Sequence, residues 1–316
     1  MRSLLLALVL LTSTAQADNV EMWLEKMNQS IHELTYTGTY VHINNDQIDT
    51  MQIVHRADEE GERERLLSLN GEAREILRDS EKVTCILPAD QSVIIGHHKT
   101  ASGLPALVPS DAVEYGRNYN IDLIGRDRVA GYPTVILSVV PKDRMRYGYR
   151  IWLEEDSGMV LRSDIMDSNA RVIEQMMFTE ISFQTPVTNE MLEPTVAHDQ
   201  FHVITEQLLS TESEASAGMD NWSFVKIPEG FRIADQSVKN LPMKKHPVRH
   251  FVLSDGFATV SVYIEKSTTD EQALKGESKM GSINAYGRQV LDYQVTVMGE
   301  VPEHTVKQIA EAVSRK

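Results

Sequence analysis

Residues 147–183 read YGYRIWLEEDSGMVLRSDIMDSNARVIEQMMFTEISF. Stretches 147–154, 159–166 and 172–183 follow a period of two, the pattern of strands that lay one face on a core. Between them stand Asp156-Ser157-Gly158 and Asp167-Ser168-Asn169, short clusters of turn-forming residues. Strands joined this way form an antiparallel meander.

The same pattern extends outward. Strands are expected at 35–43 and 49–55 around Asn44-Asn45-Asp46, and at 82–87 and 92–96 around Pro88-Ala89-Asp90. Residues 65–69 and 73–77 flank Asn70-Gly71, a type I′ hairpin signal. A further strand is expected at 134–140, whereas 99–118 lacks a clear period and reads as a long loop. A sheet of about nine or more strands should curl. One long amphipathic helix, 19–34, is available to cover or plug it. Val20, Trp23, Leu24, Met27, Ile31 and Leu34 share its apolar face, and Asp18 or Asn19 can cap it.

Composition limits the function. The chain has 316 residues, 31 Lys+Arg against 46 Asp+Glu, and a net charge of −15. At about 150 residues per domain two domains are expected. The negative balance argues against a nucleic-acid partner. One cysteine, Cys85, excludes an internal disulfide framework and a four-cysteine zinc site. Its mid-strand place suggests a buried thiol, with an intermolecular disulfide as the minor reading.

Residues 1–17 read as a secretory signal peptide: Arg2, the apolar run from Leu4 to Leu11, then Ala15-Gln16-Ala17 for cleavage. The rest divides into a large unit at 18–207, a small acidic linker at 208–219 and a second unit at 220–316. In that second unit strands are expected at 222–227, 249–253, 258–266, 283–289 and 293–301. Pro302 then opens a helix with Val306, Ile309, Ala310 and Val313 on one face. This is a small α+β domain.

Catalytic chemistry is sparse. The nucleophile-elbow, phosphate-loop and dinucleotide motifs are absent from the sequence. His198 and His202 could share a metal if a helix carried them, but Asp199 stands where a zincin needs Glu, and solvated histidines are the preferred reading. His97-His98 is read as a loop pair. No metal and no cofactor are expected. Two features look like binding. The strands carry Trp152, Met159, Met166, Met176, Met177, Phe178 and Phe183, which make either ordinary core or an adaptable apolar pocket. The stretch Lys244-Lys245-His246-Pro247-Val248-Arg249-His250 is a basic island on an acidic chain, either a partner contact or a solvated loop.

The stretches Tyr147-Gly148-Tyr149-Arg150-Ile151-Trp152-Leu153, Ser157-Gly158-Met159-Val160-Leu161-Arg162-Ser163-Asp164 and Val172-Ile173-Glu174-Gln175-Met176-Met177-Phe178-Thr179 resemble the RseB/MucB family. So do Pro228-Glu229-Gly230-Phe231 after Trp222, the run from Leu253 to Tyr263, Asn284-Ala285-Tyr286-Gly287, and the run from Tyr293 to Pro302. The resemblance covers nearly all of the chain after residue 17, and the length and leader sit nearest the MucB branch.

The resemblance implies an α+β protein whose large domain is a LolA/LolB-like open antiparallel half-barrel with helical cover around an apolar cavity. It implies a periplasmic regulator of an envelope-stress sigma factor. The small domain would be the main contact for the periplasmic segment of a transmembrane anti-sigma factor of the MucA/RseA type, shielding it from a protease. A lipid or lipopolysaccharide in the cavity would release it. The family has no catalytic residues to carry over. Pattern nominates Trp23, Met27, Trp152, Met166, Met176 and Phe178 for the lipid pocket. It nominates Trp222, Phe231, Lys244, Lys245, Arg249, Tyr263 and Tyr286 for the partner. A homodimer stays open. The rival readings are a lipid or lipoprotein carrier, which would not need residues 220–316, and a hydrolase, which lacks a nucleophile–base pair.

Overall fold

The computed structural model describes residues 12–44, 47–96, 115–209, 221–240, 244, 246–267 and 273–315. The leader before residue 12, His97-His98, Lys245 and 210–219 of the linker lie outside the described residues.

The first element is a helix, α1 (Thr12–Glu33). It runs through Asp18 and Asn19, so neither caps it. Then come β1 (Tyr36–Asn44), β2 (Gln47–Asp58), β3 (Gly61–Ser68), β4 (Glu75–Arg78), β5 (Val83–Leu87) and β6 (Ser92–Gly96). A short helix α2 (Tyr115–Asn118) precedes β7 (Tyr119–Val129) and β8 (Tyr132–Pro141). The opening stretch forms β9 (Gly148–Glu154), β10 (Val160–Met166) and β11 (Val172–Ser182), an antiparallel meander as expected. β12 (His202–Thr205) closes the set.

These strands make one 12-stranded sheet in the order β12-β6-β5-β4-β3-β2-β1-β11-β10-β9-β8-β7. It is open, because β12 and β7 stand at opposite edges. Two antiparallel arms, β1 to β6 and β7 to β11, meet where β1 pairs with β11. β6 and β7, neighbours in chain order, therefore stand near opposite ends of the sheet.

Three features differ from the sequence reading. β7 escaped it; its hairpin to β8 turns at Ala130-Gly131, both with positive φ, a type I′ signature. β12 pairs in parallel with β6, which no local turn signal could announce. Asn70-Gly71 does not make a two-residue hairpin, since β3 ends at Ser68 and β4 begins at Glu75. The Asn70 side chain instead accepts from the Thr50 N–H and donates to the Ile48 carbonyl, 2.6 Å away, so it holds the start of β2.

The second sheet comprises β13 (Gln207–Leu209), β15 (Arg232–Asn240), β16 (Val248–Ser254), β17 (Thr259–Lys266), β18 (Gly276–Met280), β19 (Ile283–Val290) and β20 (Tyr293–Gly299). Their order is β13-β15-β16-β17-β20-β19-β18. β13 already belongs here, so the chain changes sheets at Glu206. Helix α3 (Glu303–Ala312) packs on β19 and β20, and its Val306, Ile309 and Ala310, all fully buried, share one core cluster with Val260, Val262, Ile264, Val295 and Val297. A small two-stranded ribbon pairs β14 (Trp222–Phe224) with β21 (Val313–Arg315). Among the described residues no helix is long and apolar enough to cross a membrane.

Candidate functional site

Two places carry the residues singled out from the sequence: the apolar interior of the large sheet, and the small sheet. A third place, the contact between the sheets, fixes how they relate.

The interior is built around α1. Trp23, Leu24, Met27 and Ile31 recur at helical spacing and all are buried. They share one core cluster with Tyr36, Tyr40, Tyr149, Trp152, Met159, Met176 and Phe178. Polar contacts pin the helix at Lys26, within its apolar stripe, and at His32, just past it. Lys26 Nζ donates to the Glu155 carbonyl at 2.6 Å, and His32 Nδ1 lies 3.2 Å from Glu62. Burial would raise the Glu62 carboxyl, but hydrogen bonds from His32 and His55 outweigh it and lower it to about 2. Gly158 in the β9–β10 turn has φ +78°, and a Cβ there would stand 2.6 Å from Lys26 Cγ. Only glycine lets the turn and the helix come this close.

Strand register separates the pocket candidates. Ile151 faces Ser163, and Ser163 faces Met176, so these share one side with Phe178 two residues on. Trp152 faces Arg162 instead and lies on the other side. There the Arg162 guanidinium sits 4.0 Å from the Trp152 ring centre, and Trp152 Nε1 donates to Asp127 at 3.1 Å. Met166 shares the Trp152 side by alternation, and it is buried outside the main cluster. Of the six candidates, Met176 and Phe178 thus face one way and Trp152 and Met166 the other. Trp23 and Met27 come from the helix.

On the small sheet the partner candidates are largely engaged. Trp222 packs edge-on against Tyr293 at 5.2 Å. Phe231 is buried under the Arg146 guanidinium, 5.0 Å from its ring centre. Lys244 pairs with Glu265 at 2.9 Å, Arg249 is buried in β16 and donates to Gln236, and His250 stacks on Tyr263 at 4.4 Å. The basic island is therefore partly woven into β16 rather than held out as a loop. Tyr286 is half-buried, with Lys307 Nζ 5.7 Å from its ring centre. Cys85 is half-buried with a free thiol, and burial pushes its pKa up. His198 lies in a turn and His202 in β12, so the helical argument for a shared metal does not hold.

Sequence reasoning missed the contact between the sheets. The β16–β17 turn inserts Phe257 into the large sheet's core, against Tyr119 at 5.0 Å and Tyr149 at 5.7 Å. Beside it Arg146 and Asp255, both with fully buried side chains, form an ion pair at 2.6 Å. Tyr119 Oη donates to the same carboxylate oxygen at 2.9 Å, and Arg146 also donates to the Glu229 carbonyl. The other oxygen accepts the Phe257 and Ala258 N–H groups at 3.0 and 2.7 Å. Burial raises the Asp255 carboxyl above its usual value in spite of these donors, the cost of placing a charge in the interior.

A second cluster lies further along. Asn284 donates to Tyr147 Oη at 2.9 Å and to the Val301 carbonyl at 2.8 Å. Thr305 Oγ1 donates to the Met145 carbonyl at 2.8 Å. Ser282 Oγ reaches Glu174 across the boundary. At Gly281, φ +63°, a Cβ would fall 1.9 Å from Asn44 Oδ1, so this approach also requires glycine. The one local signal was Ser254-Asp255-Gly256-Phe257, a turn carrying a large apolar residue at its tip.

An open sheet with a helix in its interior, docked to a small α+β unit, defines a two-unit, mainly β protein. The family model of the MucB/RseB N-terminal domain matches residues 19–196, and that of the C-terminal domain matches residues 216–314. The chain belongs to the MucB/RseB family. It is 27% identical to the sigma factor AlgU regulatory protein MucB of Pseudomonas aeruginosa, over 98% of this chain and 95% of that one. It is 23% identical to the sigma-E factor regulatory protein RseB of Escherichia coli K12, over 92% and 89%. The Pseudomonas aeruginosa MucA/MucB complex contains a chain that matches with a TM-score of 0.72 at 25% identity, over 94% of this chain and 99% of that one.

Proposed function

We propose that this protein is a periplasmic negative regulator of an envelope-stress sigma factor. It binds the periplasmic segment of a transmembrane anti-sigma factor and shields it from the first protease of the release cascade. The observation that carries this reading is the match to MucB of the MucA/MucB complex through both units in order. The leader-like residues 1–17 support the compartment. The protein acts by binding and not by catalysis; the sequence offers no nucleophile–base pair for a hydrolase.

The units divide near 208–219, and the small unit, 220–316, makes the main contact with the anti-sigma segment. An extended peptide docks by adding main-chain hydrogen bonds to a sheet edge or by laying an apolar face in a groove. The large sheet's interior takes a lipid or lipopolysaccharide acyl chain on the Met176 and Phe178 side. To release the partner tenfold, that ligand needs about 1.4 kcal/mol of preference for the free state, and each buried CH₂ offers about 0.8 kcal/mol.

A purified cleavage assay tests the reading. Cleavage of the anti-sigma periplasmic segment should slow as the protein is added, and lipopolysaccharide should restore it. Unchanged cleavage at saturating protein overturns the proposal.

A further inference from the structure

The far end of the inter-sheet contact brings two carboxylates to one hydroxyl. Glu174 on β11 and Glu300, directly after β20, both approach the hydroxyl of Ser282. The Glu300 contact measures 3.3 Å. Ser282 is fully buried, and Glu174 is buried. A hydroxyl has one proton to donate, so it cannot serve two carboxylates at once.

The surroundings do not remove the conflict. From β1, His42 Nε2 lies 2.6 Å from Glu174 Oε1, and Asn44 donates to Glu174 Oε2 at 3.2 Å. Asp49 on β2 acts on His42. Tyr147 and Tyr149 face Glu300 from the β9 side, and both phenols feel its charge. Lys279 on β18 and Arg171 line the adjoining cleft with Glu174. The cations thus sit on the Glu174 side, and the two acids face each other across the boundary between the sheets.

We propose that Glu174, Ser282 and Glu300 form a proton-operated latch between the two sheets. It closes when one proton is held between the carboxylates and loosens when both are ionised. Burial, then the charge of Glu174, push the Glu300 carboxyl up to about 7. The ordinary value for a glutamate is 4.5. The latch is therefore at full strength below that pH and weakens as pH rises through about 7. His42, raised chiefly by its hydrogen bond to Glu174, adds strength below its ordinary 6.5 and loses it as pH rises through its own raised value. Both groups act in one direction: acid closes, base opens. The proposal does not depend on the identity of the partner.

Amide hydrogen exchange of the full chain at pH 6 and pH 8, with rates normalised to intrinsic exchange, tests it. Protection around 281–285 and 42–44 should fall about tenfold between the two pH values, while β17 stays unchanged. In Glu300→Gln the Glu300 part of that pH dependence should be lost, leaving only the contribution of His42. Equal protection of the wild-type segments at both pH values overturns the latch, as does a Glu300→Gln variant that keeps the wild-type dependence. Carbon-13 carboxyl titration of the wild-type protein gives a check that no variant's folding can confuse. A Glu300 midpoint near 4.5 would overturn the proposal as well.

Discussion

The two ends of the inter-sheet contact solve opposite problems. At one end Arg146 and Asp255 bring opposite charges together in full burial, and Tyr119, two backbone N–H groups and the Glu229 carbonyl satisfy what remains. At the other, Glu174 and Glu300 bring like charges to one hydroxyl. The first arrangement needs every partner present and then stays shut. The second needs a proton and responds to its supply. A buried charge is tolerated when it is matched, and is a switch when it is not.

The matched end should respond most strongly to substitution. Arg146→Ala leaves the Asp255 charge buried and unpaired and should cost about 3–5 kcal/mol in urea unfolding. The double change Arg146→Met with Asp255→Leu should recover only part of that loss, because it removes the unpaired charge but leaves the Tyr119 hydroxyl and the Phe257 and Ala258 N–H groups without their acceptor. In that double variant the pH dependence of protection around 281–285 should persist. Its disappearance would mean that the two ends are one unit.

Asn284→Ala removes the donor to Tyr147 and Val301 beside the like-charged end. The expected loss is about 1–3 kcal/mol, again read by urea unfolding. Lys244→Ala calibrates the scale. Its pair with Glu265 is partly exposed and remote from both ends, and the change should cost about 0.2–1 kcal/mol. A larger cost would show that the basic island is structural.

Much of the fold was legible. The helix stripe Trp23, Leu24, Met27 and Ile31 was read from spacing and is buried as that spacing requires. Strand alternation and turn residues located the meander from 147 to 183, and Val306, Ile309 and Ala310 lie on the buried face of α3, whereas Val313, expected with them, follows the helix and opens β21. These features depend on neighbours within a few residues. The division of Trp152 and Met166 from Met176 and Phe178 was not legible, since it depends on which residue faces which across β9, β10 and β11. β12 was missed because parallel pairing leaves no turn between partners.

The sequence by itself determined the period of α1, of the 147–183 meander and of the first turns of α3, the open many-stranded sheet, and the family to which the chain belongs. Only the tertiary structure decided that Arg146 meets Asp255 and that Glu174 meets Ser282 and Glu300. Each of those pairs is separated by more than a hundred residues, and their charges carry no local period. The physical reason is that hydrophobic patterning is repeated along a strand, whereas a buried ion pair or a shared proton exists only once two distant surfaces have closed on each other and excluded water.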